Sequence, residues 1–142
     1  MGRSVPCSTA WRMCEARYIH RMPVVHVRAL QPLGGGEQVD RALGGIALDV
    51  CQVLDADPGG TWCTFTALDR ESIGEEIVGL DRQIVYLDLW IRSRGAELDG
   101  SVLAVACGAA ARELGVPPAD VWGTLRHVKP GRVFAGGGSI ED

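Results

Sequence analysis

The chain has 142 residues with a formal net charge of −4, which suits one domain that buries roughly two thirds of its unfolded surface. Hydrophobic residues make up 46% of the sequence, close to the globular average, and no apolar run reaches the length of a membrane span. The acidic balance and the single lysine argue against a nucleic-acid binder, since phosphate contacts require clustered cations.

Residues 1–21 differ from the rest of the chain because they show no sustained apolar periodicity and carry scattered arginines. They also lack the continuous apolar segment of a secretory signal. One interpretation is a real disordered or helical arm, and the other is upstream sequence assigned to the protein by a start codon set too early. The abrupt onset of a strand-like pattern after Met22 favours the second. We therefore predict a domain over residues 22–142.

An internal repeat spans this domain. A shift of 60 residues superimposes its two halves and predicts two copies of one unit, over about 23–82 and 83–142. The matches include Val25 with Val85, Leu43 with Leu103, Leu54 with Leu114, Pro58 with Pro118, Trp62 with Trp122, and Thr64 with Thr124.

Each unit has the pattern of a strand, a helix and a second strand. β-Branched and large apolar residues indicate the strands, and apolar residues at helical spacing indicate the helices. The predicted elements in chain order are a strand at 24–30, a helix at 39–54, strands at 61–68 and 84–90, a helix at 98–114 and a strand at 121–128. A helical crossover makes the two strands of a unit parallel. The predicted fold class is α+β, with a four-stranded sheet covered by two helices on one face.

Alternation along the strands separates two faces of this sheet. Residues of one parity are apolar and are predicted to lie under the helices: Val25, Val27, Ala29, Phe65, Val85, Leu87, Leu89 and Leu125. The other parity combines polar and aromatic residues, among them Trp62 and Trp122. The chain has no third layer to cover this second face, so we predict that it mediates self-association.

The five cysteines are scattered, with no C-x-x-C pair and no histidine at ligand spacing, so we predict neither a metal nor a cofactor. Cys51 and Cys107 fall in predicted helices and Cys63 in a strand, where a free cysteine serves as a small buried hydrophobe. Their odd number indicates a reducing compartment, and we expect the cytoplasm.

Residues from Met22 to about Ile140 resemble the tautomerase superfamily, which includes 4-oxalocrotonate tautomerase (4-OT), macrophage migration inhibitory factor and the chloroacrylic acid dehalogenases. The resemblance rests on Pro23 at the head of the first strand, the loop at 92–98, and an ending at 121–138 that contains a glycine hairpin. It implies a fused two-copy member, a homotrimer, and a fold of two βαβ units.

The resemblance also implies that Pro23 is catalytic. A proline amine can move a proton only if no residue precedes it, and nearby cations and apolar walls lower its pKa toward neutrality. Arg94, aided by Arg92, would hold a substrate carboxylate through paired hydrogen bonds. A strand-start proline and two solvated arginines are the alternative. The repeat argues against this alternative, because the positions that correspond to Pro23, Arg92 and Arg94 in the other copy are Gln83, Pro32 and Gly34.

Five further residues are candidates for substrate binding. Trp122 stands where single-unit members carry an arginine that polarises the substrate, and Val133 or Phe134 stands near their apolar wall residue. Tyr86 and His26 share the strand face expected to be an interface, where a lone histidine is commonly structural.

The function implied is a tautomerase that interconverts the enol and keto forms of a small carboxylate-bearing substrate. Hydration chemistry, as in the dehalogenases or a decarboxylase of the superfamily, is an alternative. Those members use a late tyrosine and glutamate, whereas this chain has Thr124 at the tyrosine position and no glutamate between Trp122 and Ile140. A non-catalytic oligomeric module is the third possibility, because Pro23 carries no amine if the chain starts at Met1.

Overall fold

The structure is a computed structural model that describes residues 23–92, 95–129, 134–135 and 138–139. Its elements in chain order are β1 (Val24–Leu30), α1 (Gly35–Leu54), β2 (Trp62–Leu68), β3 (Glu71–Ile73), β4 (Glu76–Val78), β5 (Val85–Ile91), α2 (Ala96–Leu114), β6 (Val121–His127), β7 (Phe134–Ala135) and β8 (Gly138–Ser139). The four predicted strands and both predicted helices are confirmed. The predicted leader at 1–21 lies outside the described residues, so its boundary stays a prediction.

The four long strands form one sheet in the order β2-β1-β5-β6. Within each unit the strands are parallel, and the units meet where β1 pairs with β5 in antiparallel orientation. The predicted α+β fold of two tandem βαβ units is therefore correct. The two units differ in strand register. Trp62 pairs with Val24 in the first unit, so the 60-residue shift would pair Trp122 with Ile84. In the structure Trp122 pairs with Tyr86, two residues further along the chain.

The core lies between one face of the sheet and the two helices, as the strand parity predicted. Val25, Val27 and Leu89 are fully buried, and Ile46 of α1 and Val102 of α2 are buried against the same cluster. Full burial of such a side chain contributes about 1.5 to 3 kcal/mol, so this layer supplies the main driving force for the fold. Phe65 and Leu125 pack against its margin.

Two short hairpins complete the fold. β3 and β4 pair near the end of the first unit, with Gly74 in the turn at a φ of 62°, a left-handed conformation that glycine adopts at little cost. The sequence analysis did not predict this hairpin, because strands of three residues are too short to show a period. The glycine hairpin near the end of the chain is confirmed, since β7 pairs with β8.

Of the described cysteines, Cys51 is buried as predicted, whereas Cys63 and Cys107 are half-buried and pack against the margin of the core. The Cys51 thiol donates to the Asp57 carbonyl at 2.9 Å and lies 2.9 Å from the Thr61 hydroxyl. Burial, with a smaller contribution from Cys51, raises the pKa of Cys63 to about 11, and burial also raises the pKa of Cys107. These two thiols therefore stay protonated and unreactive near neutral pH.

Candidate functional site

Pro23 lies at the head of β1, where the heads of both strands of the first unit meet. The residue is buried, and its carbonyl accepts the backbone N–H of Trp62 at 3.0 Å. The parallel pairing of β1 with β2 continues from this bond along both strands. The proline is thus held at a defined edge of the sheet, referred to below as the proline edge.

The end of β5 arrives at the same edge because β1 and β5 run in opposite directions. Val24 lies opposite Trp90, and one further step of this register places Ile91 opposite Pro23. Arg92 follows at once, so the start of the loop between β5 and α2 lies beside the proline. The register thus puts Arg92 at the same edge of the sheet as Pro23, while Arg94 falls outside the described residues.

The N-terminus of α2 also lies at the proline edge. The helix begins at Ala96 after Gly95, whose φ of 106° is one that residues with side chains rarely adopt, and no side chain of the described residues caps its N-terminus. Uncapped N–H groups and the helix dipole create a positive potential at a helix start. Glu97 and Asp99 in the first turn offset part of this potential.

The tail of β6 adds a histidine and a lysine that the sequence analysis did not consider. His127 lies opposite Ile91 in the parallel register, and its Nε2 is 2.9 Å from Oδ2 of the buried Asp99. The N–H of Val128 donates to the Ile91 carbonyl at 2.8 Å, and Lys129 follows. The sequence already indicated this placement, because β6 is predicted to be parallel to β5 and parallel strands end at the same edge of a sheet.

The face of the sheet away from the helices carries three rows of side chains across the four strands. In strand order β2, β1, β5, β6 the rows are Trp62, Val24, Trp90 and Arg126; then Thr64, His26, Asp88 and Thr124; then Thr66, Arg28, Tyr86 and Trp122. We call this the outer face. The first row borders the proline edge, and the third row borders the opposite edge.

Polar contacts link neighbouring strands across the outer face. Thr124 donates its hydroxyl proton to Asp88 Oδ1 at 2.7 Å, and the Arg126 guanidinium lies 3.5 Å from the same oxygen. His26 Nε2 is 2.9 Å from the Thr66 hydroxyl. His26 is therefore engaged within its own chain, as expected of a structural histidine.

Tyr86 and Trp122 lie side by side at the edge opposite Pro23. The Arg28 guanidinium stacks over the Tyr86 ring, 5.6 Å from its centroid. The row that contains Tyr86 and Trp122 lies four residues along the strands, or about 13 Å, from the row at the proline edge. Within one chain the structure does not bring these two residues to Pro23. Val133 is outside the described residues, and only the backbone of Phe134 is described, in β7.

The outer face exposes three tryptophans. Trp62, Trp90 and Trp122 are 51%, 40% and 63% exposed. Burial of large aromatic side chains is a main source of association energy. Trp62 and Trp90 lie in the first row and Trp122 in the third, so this apolar area is distributed over both ends of the outer face. The structure therefore supports the predicted division into a buried face under the helices and an uncovered outer face.

Two properties of the described part of the chain bear on ligands and membranes. It contains no cluster of three or more histidine, cysteine or acidic side chains that could hold a metal ion. None of its helices combines the length and the apolar composition of a membrane span.

Comparison of the sequence with family models gives no match, and no curated protein is significantly similar. Solved structures are similar in fold. A fused 4-OT described as a wild-type symmetric trimer superimposes with a TM-score of 0.69 at 17% identity, over 81% of this chain and 93% of that chain. A member of the cis-3-chloroacrylic acid dehalogenase family gives 0.69 at 16% identity, over 82% of each chain.

Macrophage migration inhibitory factor of Toxoplasma gondii gives a TM-score of 0.64 at 15% identity, over 82% of this chain and 99% of that chain. All three similarities span the two βαβ units, which confirms the resemblance drawn from the sequence at the level of the fold. The chain therefore has the fold of these solved structures, with two βαβ units in one chain.

Proposed function

We propose that this protein is a tautomerase that interconverts enol and keto forms of a small carboxylate-bearing substrate. The supporting observation is the antiparallel register of β1 with β5, which brings Pro23 and the loop that begins at Arg92 to one edge of the sheet. The candidate base and the candidate carboxylate-binding loop come from different repeats. One repeat would supply the base and the other the carboxylate-binding loop, which explains why neither repeat carries both groups.

The proposed chemistry needs a free amine at Pro23. The neutral amine removes the hydroxyl proton of the enol, and the resulting ammonium delivers a proton to carbon, so the enzyme is regenerated and no cofactor is required. Arg94, aided by Arg92, binds the carboxylate. The start of α2 at the same edge and the burial of Pro23 are the features that we expect to disfavour the ammonium form of such an amine.

The start of the chain tests this proposal directly. We expect the protein purified from its native cell to begin at Pro23, because the ordered pattern begins at Met22 and a methionine before proline can be removed. Intact-mass spectrometry measures the start. A dominant species that contains residues 1–21 would contradict both the start site and the proline mechanism, and would favour the non-catalytic module.

We also propose a homotrimer in which the outer faces pack inward. The similar fused 4-OT structures are described as trimers, and the three exposed tryptophans give the outer face apolar area to bury. In such an assembly Tyr86, Trp122 and the apolar wall at Val133 or Phe134 would reach Pro23 from a neighbouring chain.

Replacing both Trp62 and Trp122 by lysine should convert the trimer to a folded monomer, because six buried charges would face each other across the interface. Sedimentation should give three times the monomer mass for the wild type and the monomer mass for the variant. Leu48→Lys, at a half-exposed position on α1, is the control and should stay trimeric. A wild-type monomer at micromolar concentration would refute the trimer.

Hydration chemistry remains the second candidate, since one similar structure belongs to the cis-3-chloroacrylic acid dehalogenase family. The described residues give it less support. Thr124 takes the position of the tyrosine used by those members, and its hydroxyl donates to Asp88 on the outer face. Release of chloride from 3-chloroacrylate, measured beside the enol assay, distinguishes the two activities.

A further inference from the structure

The tail of β6 and the first turn of α2 are joined by a side-chain contact. Nε2 of His127 lies 2.9 Å from Oδ2 of Asp99, whose side chain is almost fully buried, whereas the side chain of His127 is half exposed. His127 pairs with Ile91, which belongs to the buried face of the sheet, so its ring lies on the side of α2. The contact thus links an edge strand to the start of a helix at the proline edge.

This contact lies beside both ends of the loop between β5 and α2. At the first end, the Val128 N–H donates to the Ile91 carbonyl at 2.8 Å, directly before the loop. At the second end, the Asp99 N–H donates to the Gly95 carbonyl at 3.0 Å. Because His127 precedes Val128 in the chain and contacts Asp99, the tail of β6 is bonded to both ends of the loop.

The contact is not a requirement of the fold of one unit. A buried carboxylate loses hydration and needs hydrogen bonds in return, so an apolar side chain at the position of Asp99, which is 6% exposed, would be the simpler solution. The first repeat has this solution, since the shift of 60 residues maps Asp99 onto Val39 and His127 onto Ala67. The pair is therefore present in the repeat that supplies the arginines and absent from the other.

We propose that Asp99 and His127 are positioning residues that hold both ends of the carboxylate-binding loop in place. A loop that is already ordered loses less conformational freedom when a substrate binds, so the bond between the two residues strengthens the binding of the carboxylate. Neither residue needs to touch the substrate. This inference rests on the carboxylate-binding role of the loop in the proposed function.

Substitutions of His127 test the positioning role, because one of them removes the contact and another keeps it. In the protein that starts at Pro23, His127→Ala should raise KM for an enol carboxylate about tenfold, the scale of one lost hydrogen bond, with kcat nearly unchanged. The methyl ester of the same substrate should keep its KM, because it carries no charge for the loop to bind. His127→Gln retains an N–H donor at a similar reach and should restore the KM of the carboxylate.

Ser101→Ala is the matched control. The Ser101 hydroxyl donates to the Glu97 carbonyl at 3.1 Å, so this variant loses a hydrogen bond within α2 and keeps the link to β6. Its KM for the carboxylate should equal that of the wild type. An unchanged KM in His127→Ala, equal effects on acid and ester, or a loss in His127→Gln as large as in His127→Ala would overturn the positioning role.

Arg94→Ala separates a failure of this inference from a failure of the proposed function. If Arg94→Ala weakens the reaction of the acid more than that of the ester and His127→Ala does not, the positioning role is wrong and the carboxylate-binding loop stands. If Arg94→Ala affects acid and ester equally, the loop assignment is wrong and the positioning role falls with it.

Amide hydrogen exchange, followed by NMR, examines the anchoring of the loop without a substrate. The amides of Asp99 and Val128 should exchange faster in His127→Ala than in the wild type, because the bond that joins their two elements is missing. His127→Gln should exchange at nearly the wild-type rate. Wild-type exchange at both amides in His127→Ala would also overturn the proposal.

Discussion

One residue added ahead of Pro23 will abolish tautomerase activity in a protein that otherwise starts at that proline. The addition converts the secondary amine into an amide, whose nitrogen has no basic lone pair. Loss of a general base typically costs 10²- to 10⁴-fold in rate. The measurement is kcat/KM for an enol carboxylate, followed by the loss of enol absorbance. Proteolytic removal of the added residue is the matched control and should restore the activity.

The pH dependence of kcat/KM is a second test of the proline mechanism. Base catalysis requires the neutral amine, so kcat/KM should rise with pH through the amine pKa of the free enzyme. Burial and nearby cations should place this pKa below the value of about 8 that is typical of an α-amino group. Pro23→Ala keeps a primary amine and should retain partial activity with a shifted profile.

Full activity and an unchanged pH profile in the extended protein would mean that Pro23 is structural. The next base to examine would then be His127. It lies at the proline edge and is oriented by Asp99 at 2.9 Å, whereas His26 is engaged with Thr66 on the outer face. His127→Gln in both the extended and the unextended protein would separate these two mechanisms.

Arg94→Ala should lower kcat/KM for carboxylate substrates roughly 10- to 150-fold, which corresponds to about 1.5 to 3 kcal/mol for a lost charged hydrogen bond. The methyl ester of the same substrate should lose much less, because the missing contact is to the carboxylate. Removal of the cation should also raise the amine pKa and move the rise in activity to higher pH. Arg92→Ala should have a smaller effect in the same direction.

Arg41→Ala is the control for these arginine variants. Arg41 is exposed near the start of α1, at the end of the protein away from Pro23. It is preferable to Arg28, which lies over Tyr86 on the outer face, where assembly would involve it. Equal losses in Arg94→Ala and Arg41→Ala, or equal losses for acid and ester, would contradict the assignment of the carboxylate-binding loop.

The sequence by itself determined the four long strands and both helices, the repeat and the two faces of the sheet. Strand and helix periods are local properties, so apolar residues such as Val25 and Leu87 identify their strands and their buried side without long-range information. The 60-residue repeat adds that both halves have the same local structure. The resemblance of Pro23 and the loop at 92–98 to a known family supplied the candidate chemistry.

Only the tertiary structure decided how the two units meet. The antiparallel pairing of β1 with β5 depends on contacts between residues about 60 positions apart, which no local period encodes. That pairing places Arg92 and His127 at the proline edge and sends Trp122 and Tyr86 to the opposite edge. A repeat predicts two equivalent edges, and the residues that differ between its copies make those edges chemically distinct.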